Sequence, residues 1–461
     1  MIPERLQPIL DDVRPLADRF DAAGHRIYLV GGIVRDLVLD RMRQGADLDL
    51  TTDARPDEIL AVLEGWADKT WTQGQAFGTI GARRGDTVFE ITTHRAEAYR
   101  EDSRKPHVVY AHDVADDLSR RDFTVNAMAL RLPGAELIDP FGGVADLAAG
   151  VLRTPLGPEV SFSDDPLRMM RAARFVAGFG LRPDSDLVTA VRALRHRLEI
   201  VSAERVRDEL SKLLVVDDPS AGLWFLVDTE LADEFLPELR GLRLEQDPIQ
   251  RHKDVLSHTI AVVAKTSPRL VVRLAALLHD VGKPKTRSIG PKGVSFHHHE
   301  VVGARMARDR MRALRFSNDM VDDVTRLVFL HLRFHGYRDD VWTDAAVRRY
   351  ARDAGPQLDD LNELTRCDCT TRNERKARML AKRLDDLEAR IAELREREEL
   401  SAIRPDIDGN RVMELLGVGP GRVVGEALSL LLEARLDEGP LGHEEAERRL
   451  LAWWSDRQAA G

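Results

Sequence analysis

The chain has 461 residues, with 68 Lys and Arg against 78 Asp and Glu, for a formal net charge of −10. Only two cysteines are present, Cys367 and Cys369, which excludes a disulfide framework and a zinc ribbon built from cysteines. No stretch approaches the ~20 apolar residues of a membrane span, and MIPERLQPILDDVRP carries charges where a signal peptide needs an apolar run. A cytoplasmic protein with no membrane contact is therefore expected. The acidic balance argues against a surface coated in basic charge, but it leaves room for a local basic groove.

In chain order, Ile27–Val30 (IYLV) is a β-prone run ending in Gly31-Gly32, followed by a helical stretch over Ile33–Arg43. Leu48–Thr51, Thr79–Ala82 and Val88–Thr92 are further strand candidates, each close to Gly or Asp turn signals. After about Ser161 the strands are expected to stop. Helical spacing takes over, through Leu167, Met170 and Ala173 and then Val206, Leu210 and Leu213. The expected fold class is α+β: a small α/β head over 1–150, an all-α neck over 151–246, a histidine-rich body over 247–372 and a helical tail over 373–461. Asp247-Pro248 and Arg404-Pro405 mark later boundaries. In the charged helix between 373 and 403, Leu380, Leu384, Leu387, Ile391 and Leu394 form a seam of under three heptads. That length favours an amphipathic helix on the body over a coiled coil.

The chemistry starts at YLVGGIVRD, a strand that runs into a double glycine and then a helix. Glycines let backbone approach a phosphate, although the same pair also makes an ordinary tight turn. Next comes Ala46-Asp47-Leu48-Asp49-Leu50-Thr51. On a strand, Asp47 and Asp49 point to one side while Leu48 and Leu50 pack behind. Two carboxylates held together repel unless a cation neutralises them, and Mg²⁺ takes one or two carboxylates plus phosphate oxygens. With the glycine turn upstream, a metal-dependent phosphoryl-transfer site is the favoured reading.

Further motifs follow in register: Arg120-Arg121-Asp122-Phe123-Thr124-Val125-Asn126-Ala127-Met128, Asp139-Pro140 with Gly142-Gly143, Asp164-Asp165-Pro166-Leu167-Arg168, and Glu204-Arg205-Val206-Arg207-Asp208-Glu209-Leu210. Together with LVGGIVRD and DLDL, they resemble the class II CCA-adding tRNA nucleotidyltransferase and bacterial poly(A) polymerase family over roughly residues 25–215. The resemblance implies a polymerase-β-like head, with Gly31, Gly32 and Arg35 on the triphosphate and Asp47 and Asp49 holding catalytic Mg²⁺. It places Arg121 on the nucleotide and makes Glu90 the candidate third carboxylate, a residue that an Arg-paired buried glutamate explains almost as well.

Asp165 and Arg168 stand at i and i+3 after a Ser-Asp-Asp-Pro helix start, with Arg171 and Arg174 continuing the row. A solvated surface pair has the same spacing. The sharper reading is base selection: cytosine and adenine both offer an amino donor beside a ring acceptor, which a carboxylate and a guanidinium complement. Uracil and guanine turn a carbonyl toward the carboxylate, a mismatch that costs ~1–3 kcal/mol. By resemblance, Asp165 and Arg168 are the protein template for CTP and ATP, and Arg171 and Arg174 help bind the nucleotide. Asp164 stands where the family usually has Glu.

The later histidines form a second constellation. Leu274–Leu278 leads into His279-Asp280, with His258, His299, His331 and Asp368 at a distance. An adjacent His-Asp with distant His and Asp partners resembles the HD superfamily of metal-dependent phosphohydrolases. This implies core ligands His258, His279, Asp280 and Asp368, with His299 and His331 available for a second ion. Imidazoles with carboxylates suit Mn, Ni, Co or Fe. The expected function is addition of CMP and AMP from CTP and ATP to the tRNA 3′ end. The alternatives are a poly(A) polymerase, an A-only or C-only enzyme, or an HD phosphohydrolase with a nucleotide-sensing head. Nothing in the sequence selects monomer over dimer.

Overall fold

Apolar alternation in the first 140 residues resolves into a mixed sheet of seven strands. They are β1 (Ile27–Val30), β2 (Leu48–Thr52), β3 (Lys69–Trp71), β4 (Thr79–Arg84), β5 (Thr87–Thr93), β8 (Ala129–Leu132) and β9 (Glu136–Ile138). A separate hairpin, β6 (Arg95–Arg100) and β7 (Ser103–Tyr110), lies between β5 and β8 in sequence. The computed structural model describes residues 7–41, 47–100, 103–244, 254–290, 293–336, 342–369, 374–400 and 403–459. The sheet order is β3-β4-β5-β2-β1-β8-β9, with β2 and β5 parallel and the other pairs antiparallel. Strand β1 lies near the middle and is buried along its whole length, which accounts for its unbroken apolar run.

The four expected strands are present with small shifts at their ends. Strands β3, β6, β7, β8 and β9 were not expected. Two of them, β3 and β9, are three-residue edge strands with little buried surface, so their pairing comes from neighbours rather than from their own pattern. The helix expected over 33–43 is shorter and spans Gly32–Val38. Asp40 takes a left-handed φ of 57°, which ends the helical path, and residues 42–46 lie outside those described. Past Ser161 the chain is mainly helical, but strands do not stop altogether. Arg182–Pro183 pairs with Val151–Leu152, and Arg287–Gly290 forms a hairpin with Gly293–Phe296.

The chain divides into two compact units, 1–237 and 238–461. The first holds the sheet and the helices that follow it, including Leu167–Phe179 and Ala203–Leu214. In the second, the apolar helix Leu270–Leu278 is buried from Val272 onward and carries His279-Asp280 at its end. The Leu380, Leu384, Leu387, Ile391 and Leu394 stripe of the Glu374–Arg397 helix is buried, as the amphipathic reading requires. Arg348 ties this region together, donating to Glu398 at 2.8 Å and reaching the carbonyls of Leu436 and Asp437. The Asp247-Pro248 boundary falls outside the described residues. No described helix is long and apolar enough to cross a membrane.

Candidate functional site

Strand alternation produces the carboxylate site. Leu48 and Leu50 are buried under the sheet, and Asp47 and Asp49 are exposed on its other face. The parallel register of β2 with β5 sets Asp49 directly beside Glu90. Asp49 opens to the pocket but is surrounded by protein on its other sides. This desolvation raises its pKa above the ordinary carboxylate value; Arg121 opposes the rise, and the like charges of Glu90 and Asp47 add to it. Gly31 adopts a φ of +76°, and a Cβ built there would come within 2.9 Å of Arg121 Nη1 and 3.9 Å of Asp49 Oδ2. Glycine is thus required twice, by backbone conformation and by the close approach of the arginine.

A cavity of about 350 Å³ gathers most of the expected residues: Gly31, Gly32, Asp49, Glu90, Arg121, Asp165, Arg168 and Arg171. Thr92, Arg95, Arg120, Asp122, Asn126 and Arg205 also line it and were not singled out from sequence. Arg35, Asp47 and Arg174 do not line it. Arg35 is buried, donating through Nη1 to Asn126 Oδ1 at 2.8 Å, with its guanidinium 4.1 Å from the Phe179 ring centre. Arg174 donates to Glu209 at 2.8 Å.

The expected i, i+3 pairing of Asp165 with Arg168 is also absent. Asp165 precedes the Leu167–Phe179 helix, accepts from Leu167 N at 3.2 Å and pairs with Arg205 at 3.1 Å. Arg168 instead turns inward, donating to the Arg120 carbonyl at 2.5 Å and to Ser161 Oγ at 2.9 Å.

Two buried carboxylates hold the arginines in place. Asp117 receives Arg120 at 3.1 Å and Arg121 at 3.2 Å. Asp122 accepts from Arg171 Nε at 2.7 Å, Asn126 Nδ2 at 2.9 Å and its neighbour Phe123 N at 2.8 Å. Burial pushes the Asp122 pKa up, but Arg171 and the Asn126 hydrogen bond outweigh it and the net shift is downward. A continuous chain thus runs Arg171–Asp122–Asn126–Arg35–Asp36, linking the Leu167–Phe179 helix to the helix after the glycine turn.

In the second unit, His279, His299 and His331 each place Nδ1 within 2.7–2.8 Å of the backbone carbonyl three residues earlier. That contact takes up the Nδ1 proton and turns each Nε2 inward. His331 Nε2 and His299 Nε2 lie 3.2 Å apart, and the buried His279 Nε2 has no hydrogen bond of good geometry. Asp280 reaches His279 at 3.2 Å and His299 at 3.4 Å, and His258 contacts Asp368 at 2.8 Å. Burial lowers the His279 pKa, but the Asp280 and Asp368 charges overcome it and raise the value to about 10. Burial and the charge on His279 lower His331 to about 3. Two ligand groups result, His258/His279/Asp280 and Asp280/His299/His331, sharing Asp280. Asp368 borders the first, so every expected HD ligand converges here. His297 and His298, next to this group in sequence, are exposed.

The Poly A polymerase head domain family matches residues 27–153, the probable RNA- and SrmB-binding site of polymerase A matches 180–242, and the HD domain family matches 255–395. An A-adding tRNA nucleotidyltransferase of Deinococcus radiodurans is 35% identical over 455 residues, covering 93% of this chain and 95% of that one. A CCA-adding enzyme of Anoxybacillus flavithermus is 39% identical over 217 residues, covering 47% of this chain and 53% of that one. The match thus spans about half of that relative. Among solved structures, the Bacillus stearothermophilus CCA-adding enzyme in complex with CTP aligns over 100% of both chains, with a TM-score of 0.69 and 23% identity. The Thermotoga maritima CCA-adding enzyme complexed with tRNA covers 98% of this chain and 96% of its own, with a TM-score of 0.58 and 21% identity. At such identities the likeness is one of fold.

Asp122 gives a test of how the pocket is held. Its folded pKa lies below the unfolded value of ~3.9, so its contribution to stability is complete above that pH and is lost as pH falls through the folded pKa. Asp122→Asn should cost on the order of 2–4 kcal/mol at neutral pH by stranding Arg171. In urea unfolding, the gap between wild type and variant should narrow as pH drops below about 4. An equal gap at both pH values would contradict the assignment.

Proposed function

Because this chain belongs to the tRNA nucleotidyltransferase family that carries the poly(A) polymerase head, we propose that it adds CMP and AMP to the 3′ end of tRNA, completing or repairing CCA in the cytoplasm. The observation that carries this reading is the cavity that Asp49, Glu90, Arg121, Asp165 and Arg168 line together. Carboxylates for metal, a cation for phosphate and a polar pair for a base edge are the parts that template-free nucleotidyl transfer needs.

Asp49 and Glu90, paired across β2 and β5, fit a divalent cation, with Asp47, which adds like charge to Asp49, as the further candidate ligand. Mg²⁺ bound there supplies neutralisation of the triphosphate and a lowered pKa for the attacking hydroxyl. The residues do the rest. Gly31 and Gly32 let the triphosphate lie against backbone, and Arg121, fixed by Asp117, meets its charge. Asp165 accepts from the amino group of cytosine or adenine, with Arg205 keeping that carboxylate oriented. Arg168, anchored on Ser161 and the Arg120 carbonyl, fixes the pocket wall beside it. The RNA 3′-oxygen forms a bond to the α-phosphorus, the bond to pyrophosphate breaks, and the hydroxyl proton passes to solvent water. A second reading, A-only addition, is favoured by the nearly full-length match to an A-adding relative.

Extension of tRNA transcripts lacking A, CA or all of CCA separates these readings. With CTP, ATP and Mg²⁺, wild type should complete CCA and stop. Asp49→Asn should lower the rate at least a hundredfold, and Asp165→Ala should relax discrimination against UTP and GTP by about ten- to a hundredfold. Incorporation of ATP alone would move the assignment to the A-only reading, and long A tails would reject both.

For the second unit we propose a two-cation HD site on His258, His279, Asp280, Asp368, His299 and His331. The inward-facing Nε2 atoms and the shared Asp280 suit Mn, Ni, Co or Fe. Metal bound there supplies an activated water for phosphoester hydrolysis. Mn²⁺ or Ni²⁺ added to the metal-stripped protein should raise its melting temperature by several degrees through linkage. Asp280→Asn should abolish the shift and Asp49→Asn should leave it intact. A wild-type protein with no shift, or a variant with an undiminished one, would reject the site.

A further inference from the structure

The turn between β3 and β4 presents an aromatic ring that the reading above does not use. Phe77 is 49% exposed and is the only exposed aromatic among the described residues of the first unit. The turn beneath it is firmly pinned. Phe77 N donates to Gly74 O at 2.9 Å, Gly78 N to Gln75 O at 2.9 Å and Thr79 N to Gly74 O at 3.0 Å. Thr93 N on β5 donates to Gly78 O at 2.9 Å, and Gly78 takes a φ of +79° that other residues rarely adopt. The turn therefore fixes an apolar ring in water, where leaving it uncovered forgoes the free energy of burial.

Its location is tied to the cavity by two contacts. Arg95, which lines the cavity, donates through Nη1 to the Phe77 carbonyl at 2.8 Å. Thr79 Oγ1 lies 2.9 Å from the hydroxyl of Thr92, another lining residue. In the sheet order β4-β5-β2-β1, Asp49 stands on β2, between Glu90 on β5 and the Gly31-Gly32 turn at the end of β1. Displacement at phosphorus brings the nucleophile in on the side opposite the leaving group. If pyrophosphate leaves along the glycine turn, the attacking hydroxyl enters from the β5 side, and that is the edge Phe77 borders.

From this juxtaposition we infer that Phe77 is a stacking platform for the terminal base of the acceptor RNA. It acts as a positioning residue for the nucleophile, and the inference rests on the RNA-extending reading above. Stacking suits the task because every base has a π-face, and the base at the growing end is not the same throughout CCA synthesis.

The test compares wild type with Phe77→Leu, which keeps apolar volume without the aromatic face, and with Phe77→Trp. On a tRNA transcript lacking only its terminal A, Phe77→Leu should raise KM for the tRNA about tenfold or more while KM for ATP stays within twofold. Phe77→Trp should restore the wild-type KM. A transcript ending in 2-aminopurine should be quenched on binding wild type and Phe77→Trp, and remain bright on Phe77→Leu. Unchanged tRNA KM and quenching in Phe77→Leu overturn the inference, and so does a rise confined to KM for ATP. The two readings fail separately: a wild type that extends no tRNA rejects the function, while quenching still reports the ring.

Discussion

The head is organised around negative charge that cannot stand alone. Asp49 and Glu90 are brought side by side by strand register, with Asp47 preceding them on the same face. Carboxylates so placed demand positive charge, and the protein surrounds them with a permanent ring of arginines while leaving room for a cation and a triphosphate. Those arginines need orientation in turn. Asp117 and Asp122, both buried, supply it. The acid excess of the chain is therefore partly structural: carboxylates buried beneath the cavity keep its basic lining in place.

The same logic recurs in the second unit with different ligands. Three histidines turn one nitrogen to backbone and the other inward, so Nε2 atoms and carboxylate oxygens face one another across a buried space. Each unit thus gathers potential ligand atoms in one place. The two differ in donor type. Oxygen donors suit a hard ion with phosphate in the head, and the nitrogen-rich set suits a transition metal.

The sequence revealed the parts of the site that follow local periodicity. Alternation over Leu48–Leu50 sets Asp49 on the open face, while Asp47 precedes the strand and lies outside the cavity lining, and the glycine pair after an apolar strand marks the turn. Side-chain direction in three dimensions was less legible. The family resemblance puts Arg35 on the triphosphate, yet Asn126 and the Phe179 ring draw it inward. Asp165 was read with Arg168 from i, i+3 spacing, but Arg168 finds a backbone carbonyl and Asp165 pairs with Arg205, forty residues away in sequence. Edge strands β3 and β9 were missed because short, exposed segments carry almost no pattern. The HD ligands, by contrast, span 110 residues between His258 and Asp368 and still converge. There the family resemblance supplied what spacing alone could not.

The central claim is that Asp49 acts by ligating a cation during nucleotidyl transfer to tRNA. The most direct measurement is metal rescue of Asp49→Cys, since a thiolate binds Mg²⁺ poorly and softer ions well. The variant should be inactive with Mg²⁺ and regain CMP and AMP incorporation when Mn²⁺ or Cd²⁺ is supplied, while wild type gains little from the exchange. Full activity of Asp49→Cys in Mg²⁺, or no recovery with any softer ion in a folded variant, would contradict the account.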